Sequence, residues 1–513
     1  MADIKREIER KYEVEVEVDA DADAGGGPEG LSGLPDLTRV PGVAAVVDKG
    51  VAELDAVYYD TADQRLAAAS LTLRRRTGGD DAGWHLKLPV SDGVRDEIRA
   101  PLSDTVPRAL TGLVRSRVRD ADLVPVVRLL SARDVRHLVD ASGGLLAEVS
   151  VDRVRAERLS GGDGTARWTE IEVELADEGD PAFLDKVEKK LRKAGVRRSG
   201  SASKLARALS ETGRRPRKEA VVAAAPVTAG DHVLAYVRAQ RDAIVELDPA
   251  VRRDVHDAVH SMRVATRRLR STFRSYGNVL DRAVTDPIRD ELKWLAGELG
   301  VDRDQEVLTE RLTAALGALP RPLLAGPVRG RLRTWAHARR SGSRRRLVAV
   351  LDGGRYLDLL VSLDALLATP PLRRAAADTT ERTIAKAVRK DVDKLSGLVG
   401  QAVALPPGEG RDLAIHEARK KTKRTRYAAE LAAPLLGKPA KGLVGDMKSL
   451  QGLLGEHQDS VMARLALRDL ATQAHAAGEN AFTYGVLYGR EERNAAEVEA
   501  ALPEAWGAIK GAP

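Results

Sequence analysis

The feature that most constrains the fold of this chain is a basic segment that occurs twice with its spacing preserved. The first copy runs from His260 to Arg270 and the second from His416 to Arg426, and both read His-x-x-basic-x-x-x-basic-basic-x-Arg. A helix turns by about 100° per residue, so positions 0, 3, 7 and 10 of each copy lie on one stripe. Each copy therefore predicts a helix that presents a histidine and three cations on the same face.

The repeat continues beyond these two helices. The pattern Leu-Gly-x-x-x-Asp follows the first copy at Leu299–Asp304 and the second copy at Leu454–Asp459. The two copies lie roughly 155 residues apart, which is too long for one unit of a solenoid and indicates two similar helical subdomains. Asp304 and Asp459 are expected to cap or pair with the basic helices rather than to bind metal.

Residues 229–508 resemble the CHAD domain, because they carry both histidine-basic helices and both Leu-Gly-x-x-x-Asp segments. The resemblance implies an all-α fold of two pseudosymmetric four-helix bundles that binds inorganic polyphosphate along a basic surface. The residues that would bind it are His260, Arg263, Arg267, Arg268, Arg270, His416, Arg419, Lys420, Lys423, Arg424 and Arg426. A solvated basic helix face is the alternative interpretation of such charge runs.

The first 210 residues differ from the rest because their pattern is rich in strands. Alternation of polar and apolar residues predicts strands at Glu7–Val16, Leu71–Arg76, Trp84–Leu88, Leu146–Asp152 and Glu170–Leu175. Helical periodicity follows at Pro181–Ala194 and Ser199–Leu209, and dominates from Asp231 onwards. Prolines and small residues predict a linker at 213–228, which places the two domains at 1–212 and 229–508.

Charged residues take every second position in several of these strands. Residues two apart share a face, so Glu7, Glu9 and Lys11 point to one side. Further shared faces occur at Arg74 and Arg76, His85 and Lys87, Arg95 with Glu97 and Arg99, and Glu170 with Glu172 and Glu174. Rows of carboxylates repel one another unless cations lie between them, and Mg²⁺ and Mn²⁺ prefer such oxygen ligands. Because a dry core could not hold these charges, the pattern indicates either a hydrated tunnel or a solvent-facing sheet edge.

Residues 3–210 resemble the CYTH family. Glu7-Ile8-Glu9-Arg10-Lys11 matches its Glu-x-Glu-x-Lys signature, and the family order continues through Tyr59–Thr61, Leu71–Arg76, Leu86–Pro89, Glu148–Asp152, Glu170–Glu174 and Ser203-Lys204. The resemblance implies an eight-stranded antiparallel β tunnel, the triphosphate tunnel metalloenzyme fold, which hydrolyses or transforms triphosphates with a divalent metal. With the helical half, it predicts an α+β multidomain protein.

Residue roles follow from this chemistry together with the resemblance. The expected ligands of Mg²⁺ or Mn²⁺ are Glu7, Glu9, Glu172 and Glu174, with Glu97, Asp152 and Glu170 as second-line candidates. The expected phosphate-binding residues of the tunnel are Arg74, Arg76, Lys87, Arg128 and Lys204. Lys11 joins Glu7 and Glu9 as a catalytic candidate, since it would touch the terminal phosphate or position the attacking water. Arg133 could take the place of Arg128, and His85 is expected to be a wall residue rather than a base.

Composition limits the chemistry and the location. The chain of 513 residues contains no cysteine, which excludes disulfides, thiolate zinc sites and thiol nucleophiles. Its start lacks the apolar core of a signal peptide, and no apolar run approaches the roughly 20 residues that span a bilayer. We therefore expect a cytoplasmic protein without a membrane partner, and association with polyphosphate granules would fit that location.

The arginine distribution indicates a polyanion partner. Residues 331–346 contain seven arginines and no acidic residue, within a chain of net charge +7. Nucleic acid is the less favoured polyanion, because aromatic residues make up 3% of the chain and the known recognition motifs are missing. Inorganic polyphosphate and triphosphate are the expected partners, while the oligomeric state stays open.

The leading functional hypothesis is metal-dependent hydrolysis of inorganic triphosphate or short polyphosphate in the tunnel, with polyphosphate binding by the helical domain. One alternative is a non-catalytic protein that docks onto polyphosphate. Another is a tunnel enzyme that acts on an organic triphosphate, as an adenylate cyclase or a thiamine triphosphatase. The two carboxylate rows favour an enzyme, since a pure polyanion binder gains nothing from clustered negative charge.

Overall fold

The chain forms two compact units. The computed structural model describes residues 3–13, 34–213, 226–340 and 343–509. One unit extends to Val222 and the other begins at Ala223. This division falls within the predicted linker 213–228, of which residues 214–225 lie outside the described residues.

The first unit is built on one antiparallel sheet that closes on itself. Its strands are β1 Asp3–Glu13, β2 Ala45–Asp60, β3 Thr72–Thr77, β4 Gly83–Ser91, β5 Val94–Ala100, β6 Val124–Val139, β7 Leu145–Arg158, β8 Thr165–Leu175 and β9 Arg197–Arg198. The strand order is β5-β4-β3-β2-β6-β7-β8-β1-β9, and β1 also pairs with β5. Strands β1 to β8 therefore form a closed barrel, as predicted, and the two-residue β9 lies beside β1.

Strand β1 closes the barrel by pairing with a different neighbour along each half. Residues Asp3–Ile8 pair with β5, and residues Glu9–Glu13 pair with β8. Because side chains alternate between the two faces, closure at β1 turns Glu7, Glu9 and Lys11 into the barrel together.

Most apolar side chains of the barrel point outward and are covered by helices. The helices of this unit are α1 Arg65–Ala68, α2 Arg108–Val118, α3 Ala182–Lys193 and α4 Lys204–Thr212. Val187 and Leu191 of α3 pack with Ile171 of β8, and Leu110 of α2 packs with Leu86 of β4. Burial of each such side chain contributes about 1.5–3 kcal/mol, so the apolar core lies outside the barrel wall and the interior is left to polar groups.

Helix α4 fills one end of the barrel. There the inward positions are apolar, and Leu129, Ala156 and Trp168 pack against Leu205 of α4. The adjacent apolar residues of β6 break the alternating pattern, which is why the sequence did not predict this strand of 16 residues. Ser203 is the N-cap of α4, because its hydroxyl accepts a hydrogen bond from Ala206 N.

The second unit is helical, as predicted. Its helices are α5 Ala229–Arg252, α6 Ala258–Ser275, α7 Arg282–Glu298, α8 Val301–Gly317, α9 Val328–Arg340, α10 Ser343–Asp352, α11 Gly354–Ala368, α12 Thr380–Ala404, α13 Glu409–Leu436, α14 Lys438–Ala476 and α15 Phe482–Gly507. The duplicated basic segments lie on α6 and α13. The segment Leu299–Asp304 spans the junction of α7 and α8, whereas Leu454–Asp459 lies inside the long α14.

Both basic helices pack on the same apolar core. This core contains Leu269 of α6 and Leu431 of α13, together with side chains from α5, α7, α11, α12 and the first half of α14. A smaller core joins α8 and α9 to the remainder of α14 and to α15, around Leu312, Trp335 and Leu467. Among the described helices, none is both long and apolar enough to cross a lipid bilayer.

Candidate functional site

The barrel encloses a cavity of about 670 Å³ whose lining is charged. All four predicted metal ligands line this cavity, as do Lys11 and all but one of the predicted phosphate-binding residues. The lining also contains Arg133, the predicted alternative to Arg128, and four cations that were not assigned a phosphate-binding role from the sequence, namely Lys5, Lys49, Arg95 and Arg99. The signal for Lys5 was present, because it precedes Glu7 by two residues and so shares its face.

The register of β1 and β8 sets carboxylates opposite one another. Glu9 lies opposite Glu174, and Lys11 lies opposite Glu172. Like charges in such positions repel, but lysines separate them here. Lys11 Nζ lies 2.6 Å from Glu172 Oε1 and 3.4 Å from Glu9 Oε1, and Lys5 Nζ lies 2.6 Å from Glu174 Oε1. Barrel closure therefore interleaves the two carboxylate rows with cations.

The carboxyl groups of the two rows have different electrostatic environments. Burial raises the pKa of Glu7, and this effect exceeds the opposing effect of Lys87 Nζ, which lies 2.5 Å away. Burial also acts to raise the pKa of Glu172, but Lys11, Lys204 and Arg133 outweigh it and hold that pKa well below its ordinary value. Glu172 is thus ionised and can donate its oxygen atoms to a metal ion. Ionisation of Glu7 would be favoured by a further cation, such as a metal ion, in addition to Lys87.

Three buried carboxylates of the barrel bring their oxygen atoms close together. One oxygen atom from each of Asp152, Glu170 and Glu172 lies within 4.8 Å of the others. Lys204 Nζ lies 2.8, 2.7 and 2.7 Å from these three residues. Arg133 also binds Asp152 through two hydrogen bonds of 2.7 Å and Glu172 through one of 2.7 Å. The hard oxygen donors fit a divalent metal ion, although the lysine ammonium lies among them.

Arg74 and Arg76 carry positive charge into the cavity with incomplete compensation. Arg74 Nη1 donates to Tyr58 Oη at 3.3 Å, and its other guanidinium nitrogen lies 3.7 Å from Glu97. Arg76 forms an ion pair with Asp81. Burial, together with the nearby Arg74 and Arg133, lowers the pKa of Arg76 to about 9. Among the described residues, the buried Nε atoms of both arginines have no hydrogen-bond partner, so an anion would stabilise them.

The predicted placement of Arg128 in the tunnel is wrong. Arg128 and Arg133 lie five residues apart on β6, so their side chains point to opposite faces. Arg133 lines the cavity, whereas Arg128 donates to Asp55 at 3.0 and 2.6 Å on the outer face. His85 does not line the cavity. Both of its ring nitrogens have partners within the barrel wall: Nδ1 lies 3.0 Å from Glu97 and Nε2 lies 2.9 Å from the Asp81 carbonyl.

In the helical unit, cations from both repeats converge. Lys423 of α13 lies in the electrostatic field of Arg263 and Arg267 of α6 and of Arg419 on its own helix. Burial and the repulsion from these three arginines lower the pKa of Lys423 to about 6. Arg267 and Lys423 form no ion pair with any described residue, so this cluster is a local excess of positive charge.

One carboxylate pairs directly with the cluster. Asp304 accepts hydrogen bonds from both terminal nitrogens of Arg263 at 2.8 and 3.1 Å, which confirms the predicted pairing with a basic helix. Asp459, its counterpart in the second repeat, lies close enough to Arg419 for the two charges to interact. The acidic groups beside the cluster are therefore fewer than its cations.

The remaining predicted residues of the helical unit have other neighbours. Arg268 and Arg426 both donate to Glu430 at 2.9 Å, and Arg424 donates to the buried Asp391 at 3.0 Å. The other contacts are those of Lys420 with Glu417 at 2.7 Å and of His416 Nδ1 with Gln458. His260 and Arg270 have no ion pair with a described residue. The predicted residues thus divide into a convergent cluster, a set that is paired with other side chains, and His260 and Arg270 without an ion pair.

Three of the seven arginines in the run at 331–346 contact acids that are distant in sequence. Arg331 lies 2.6 Å from Glu479, and Arg346 donates to Glu298 at 2.9 and 3.0 Å. Arg339 lies 3.0 Å from Asp469. These pairs neutralise part of a run whose sequence indicates a polyanion-binding surface.

Comparison with known proteins agrees with both halves of the structure. The CYTH domain model matches residues 39–209, and the CHAD domain model matches residues 235–468. An uncharacterized protein of Mycobacterium tuberculosis is 37% identical over 528 residues, covering 99% of this chain and 97% of that protein. The match to the CYTH model begins after β1, so the assignment of Glu7, Glu9 and Lys11 to the site rests on the barrel geometry.

Two of the solved structures similar to this chain match it over almost their whole length. PptA from Streptomyces chartreusis is 23% identical, and the match covers 55% of this chain and 100% of that chain, with a TM-score of 0.47. The CHAD domain from the plant Ricinus communis is 26% identical, and the match covers 56% of this chain and 95% of that chain, with a TM-score of 0.43.

A closed β barrel with a charged interior, followed by a helical unit with a duplicated basic helix, defines a two-domain protein of tunnel and helical-bundle type. The chain belongs to the family of proteins in which a CYTH domain is fused to a CHAD domain. CYTH family members are triphosphatases or cyclases, and their tunnel enzymes use divalent metals. CHAD and CYTH domains are associated with polyphosphate or triphosphate.

Proposed function

We propose that the tunnel hydrolyses inorganic triphosphate or short polyphosphate with Mg²⁺ or Mn²⁺, and that the helical unit binds inorganic polyphosphate. The observation that carries the proposal is the cavity lining, which holds ten lysines and arginines and eight aspartates and glutamates. A site that binds a polyanion without metal would need only the cations. A polyanion that enters with divalent metal uses both sets, and this combination is the chemistry of metal-assisted phosphoryl transfer.

Each group of lining residues has a role in this proposal. A divalent ion held by Glu7, Glu9, Glu172 and Glu174 would neutralise phosphate oxygens and lower the pKa of a bound water. Arg74, Arg76 and Lys87 would bind non-bridging oxygens and stabilise the charge that develops in the transition state. Lys11 would orient the terminal phosphate, and Lys204 would contribute charge from the end of the tunnel that α4 fills.

The lining supports an inorganic substrate over a nucleotide. Among the described lining residues, Tyr58 is the one phenol or indole side chain, and its hydroxyl already accepts a hydrogen bond from Arg74. Adenine recognition uses a stacking surface with hydrogen-bond donors and acceptors beside it. The cavity instead offers charged groups along its length.

The tunnel proposal is tested by phosphate release from triphosphate, ATP and thiamine triphosphate, with Mg²⁺, with Mn²⁺ and without metal. We expect triphosphate to be the preferred substrate, release to require metal, and Glu9→Ala to nearly abolish it. Arg128→Ala is the matched control, because this residue faces away from the cavity and the variant should retain activity. A wild-type protein that releases no phosphate with either metal would favour the non-catalytic docking protein.

The helical proposal rests on the convergence of Arg263, Arg267, Arg419 and Lys423. Loss of one charged hydrogen bond costs about 1.5–3 kcal/mol, so Arg267→Ala should weaken polyphosphate binding by about tenfold or more. Arg333→Ala is the control, since this exposed arginine lies in the run at 331–346 and donates to the Arg329 carbonyl of its own helix. Binding to polyphosphate and to RNA should be compared at equal phosphate and salt concentrations, because counterion release favours both. Equal affinity would favour a nonspecific basic surface.

A further inference from the structure

A histidine and two carboxylates from three helices converge inside the helical unit. His457 lies on α14, Asp412 lies near the start of α13, and Glu499 lies on α15. One nitrogen or oxygen atom from each of these residues lies within 4.8 Å of the others. His457 occupies a position of the repeated Leu-Gly-x-x-x-Asp pattern at which the first copy has Asp302. The imidazole is therefore particular to the second copy, and the proposed binding of polyphosphate does not use it.

The separations within this cluster are longer than those of ordinary hydrogen bonds. His457 Nε2 lies 3.3 Å from Asp412 Oδ1 and 3.3 Å from Glu499 Oε1. Hydrogen bonds from N–H to oxygen usually measure about 2.7–3.2 Å, and a single Nε2–H cannot donate well to two oxygens. A tetrahedral zinc ion with bonds of about 2.0–2.1 Å holds its ligand atoms about 3.3–3.4 Å apart. Both separations thus match edges of a zinc tetrahedron.

Two arginines orient the carboxylates from outside the cluster. Arg464 donates to Asp412 Oδ2 at 2.9 Å, and Arg411 donates to Glu499 Oε2 at 2.7 Å. Each carboxylate therefore has one oxygen held by a guanidinium and presents its other oxygen to His457 Nε2. Carboxylates that bind metals are oriented by outer hydrogen bonds in this way. The two guanidinium charges also offset the repulsion between the carboxylates, so the three ligand atoms are already gathered before an ion binds.

The donor set and its burial favour zinc over magnesium. Zn²⁺ accepts imidazole nitrogen together with carboxylate oxygen at four-coordinate sites, whereas Mg²⁺ prefers six oxygen ligands. The side chain of His457 is 1% exposed, and that of Asp412 is 20% exposed. The cluster is thus buried at the imidazole and reached by solvent at Asp412, so a water molecule can take the fourth position.

We propose that His457, Asp412 and Glu499 form a zinc site that joins α13, α14 and α15. The ion would bind His457 Nε2, Asp412 Oδ1, Glu499 Oε1 and a water molecule. Zinc binds the neutral imidazole, so a proton on Nε2 is released to the solvent. Asp412 precedes His416 of the second basic segment by four residues, so the ion stabilises the start of that helix against α14 and α15. The site depends neither on the proposed hydrolysis of triphosphate nor on polyphosphate binding.

The experiment is calorimetric titration of the full chain with Zn²⁺ near pH 7, without phosphate compounds, for the wild type and three variants. Glu499→Gln and Asp412→Asn each remove one ligand, from different helices. Glu497→Gln is the matched control, because it makes the same substitution at an exposed position of α15. Zinc that binds in the tunnel or at surface residues is common to all four proteins and cancels in the comparison.

We expect the wild type and Glu497→Gln to bind about one Zn²⁺ ion per chain more than either ligand variant, and zinc to raise the unfolding temperature of the helical unit only in those two proteins. If one ligand variant fails to fold, the other gives the same comparison. Co²⁺ in place of Zn²⁺ should give the wild type the visible absorption of a four-coordinate ion, and the absence of this absorption would overturn the site. Equal zinc stoichiometry in all four proteins would also overturn it and leave a buried ion-pair network at this position.

Discussion

The substitution Arg133→Met should reveal how strongly the interior charges of the barrel depend on one another. Arg133 holds Asp152 with two hydrogen bonds and Glu172 with a third, each of 2.7 Å. The side chain of Arg133 is 19% exposed and that of Asp152 is fully buried. Removing one member of a buried ion pair costs up to about 3–5 kcal/mol, because the partner charge loses its compensation. Lys204 still compensates part of the charge of Asp152 and Glu172 in this variant. We expect a loss of this size in the free energy of unfolding of the barrel near pH 7.

The same strand offers a matched control. Arg128 also makes two hydrogen bonds to a carboxylate, that of Asp55, but the two side chains are 43% and 33% exposed. Water already solvates such a pair, so Arg128→Met should cost less than about 1 kcal/mol. Both arginines bind an aspartate through two hydrogen bonds, so the two variants differ chiefly in burial and in the third hydrogen bond of Arg133, to Glu172.

The assay is calorimetric unfolding of the full chain, in which the helical unit provides an internal reference. Only the transition of the barrel should move. Arg133 lowers the pKa of Asp152 and of Glu172, so its contribution is present above the ordinary carboxyl pKa of about 4 and is lost as pH falls through the lower values of the folded state. The difference between wild type and variant should therefore shrink in acid. Equal losses for the two arginine variants near pH 7 would refute the reasoning.

Two further substitutions have defined outcomes. Asp391→Asn removes the carboxylate that compensates Lys421 and Arg424 inside the helical unit, so the helical transition should lose about 3–5 kcal/mol while the barrel transition stays in place. An unchanged helical transition would show that these cations find other partners. Lys204→Met removes the ammonium from the cluster of Asp152, Glu170 and Glu172, and Mn²⁺ should then stabilise the barrel more in the variant than in the wild type, as measured by the shift of its transition. Equal shifts would contradict a metal-binding role for this cluster.

Local periodicity explains which parts of the barrel could be predicted. The alternation in β1, β3, β4, β7 and β8 was strong enough to assign both the strands and the residues that share a face. Strand β6 was missed because its inward side is apolar where Leu129 meets α4 and charged where Arg133 meets the carboxylates. The error at Arg128 has the same origin, since a strand whose two ends differ in character does not show from its sequence which face is inside.

The sequence by itself determined the two-domain organisation, the strand and helix types, and the sharing of faces by Glu7, Glu9 and Lys11 and by the members of each basic stripe. These properties repeat every two residues in strands or every 3.6 residues in helices, so neighbours in the chain suffice to specify them. Only the tertiary structure decided which carboxylates meet which cations, that Lys204 lies among three acids, and that Lys423 lies in the electrostatic field of Arg267. The physical reason is that an ion pair depends on distances of a few ångströms, and strand register, barrel closure and helix packing set those distances between residues that are far apart in the sequence.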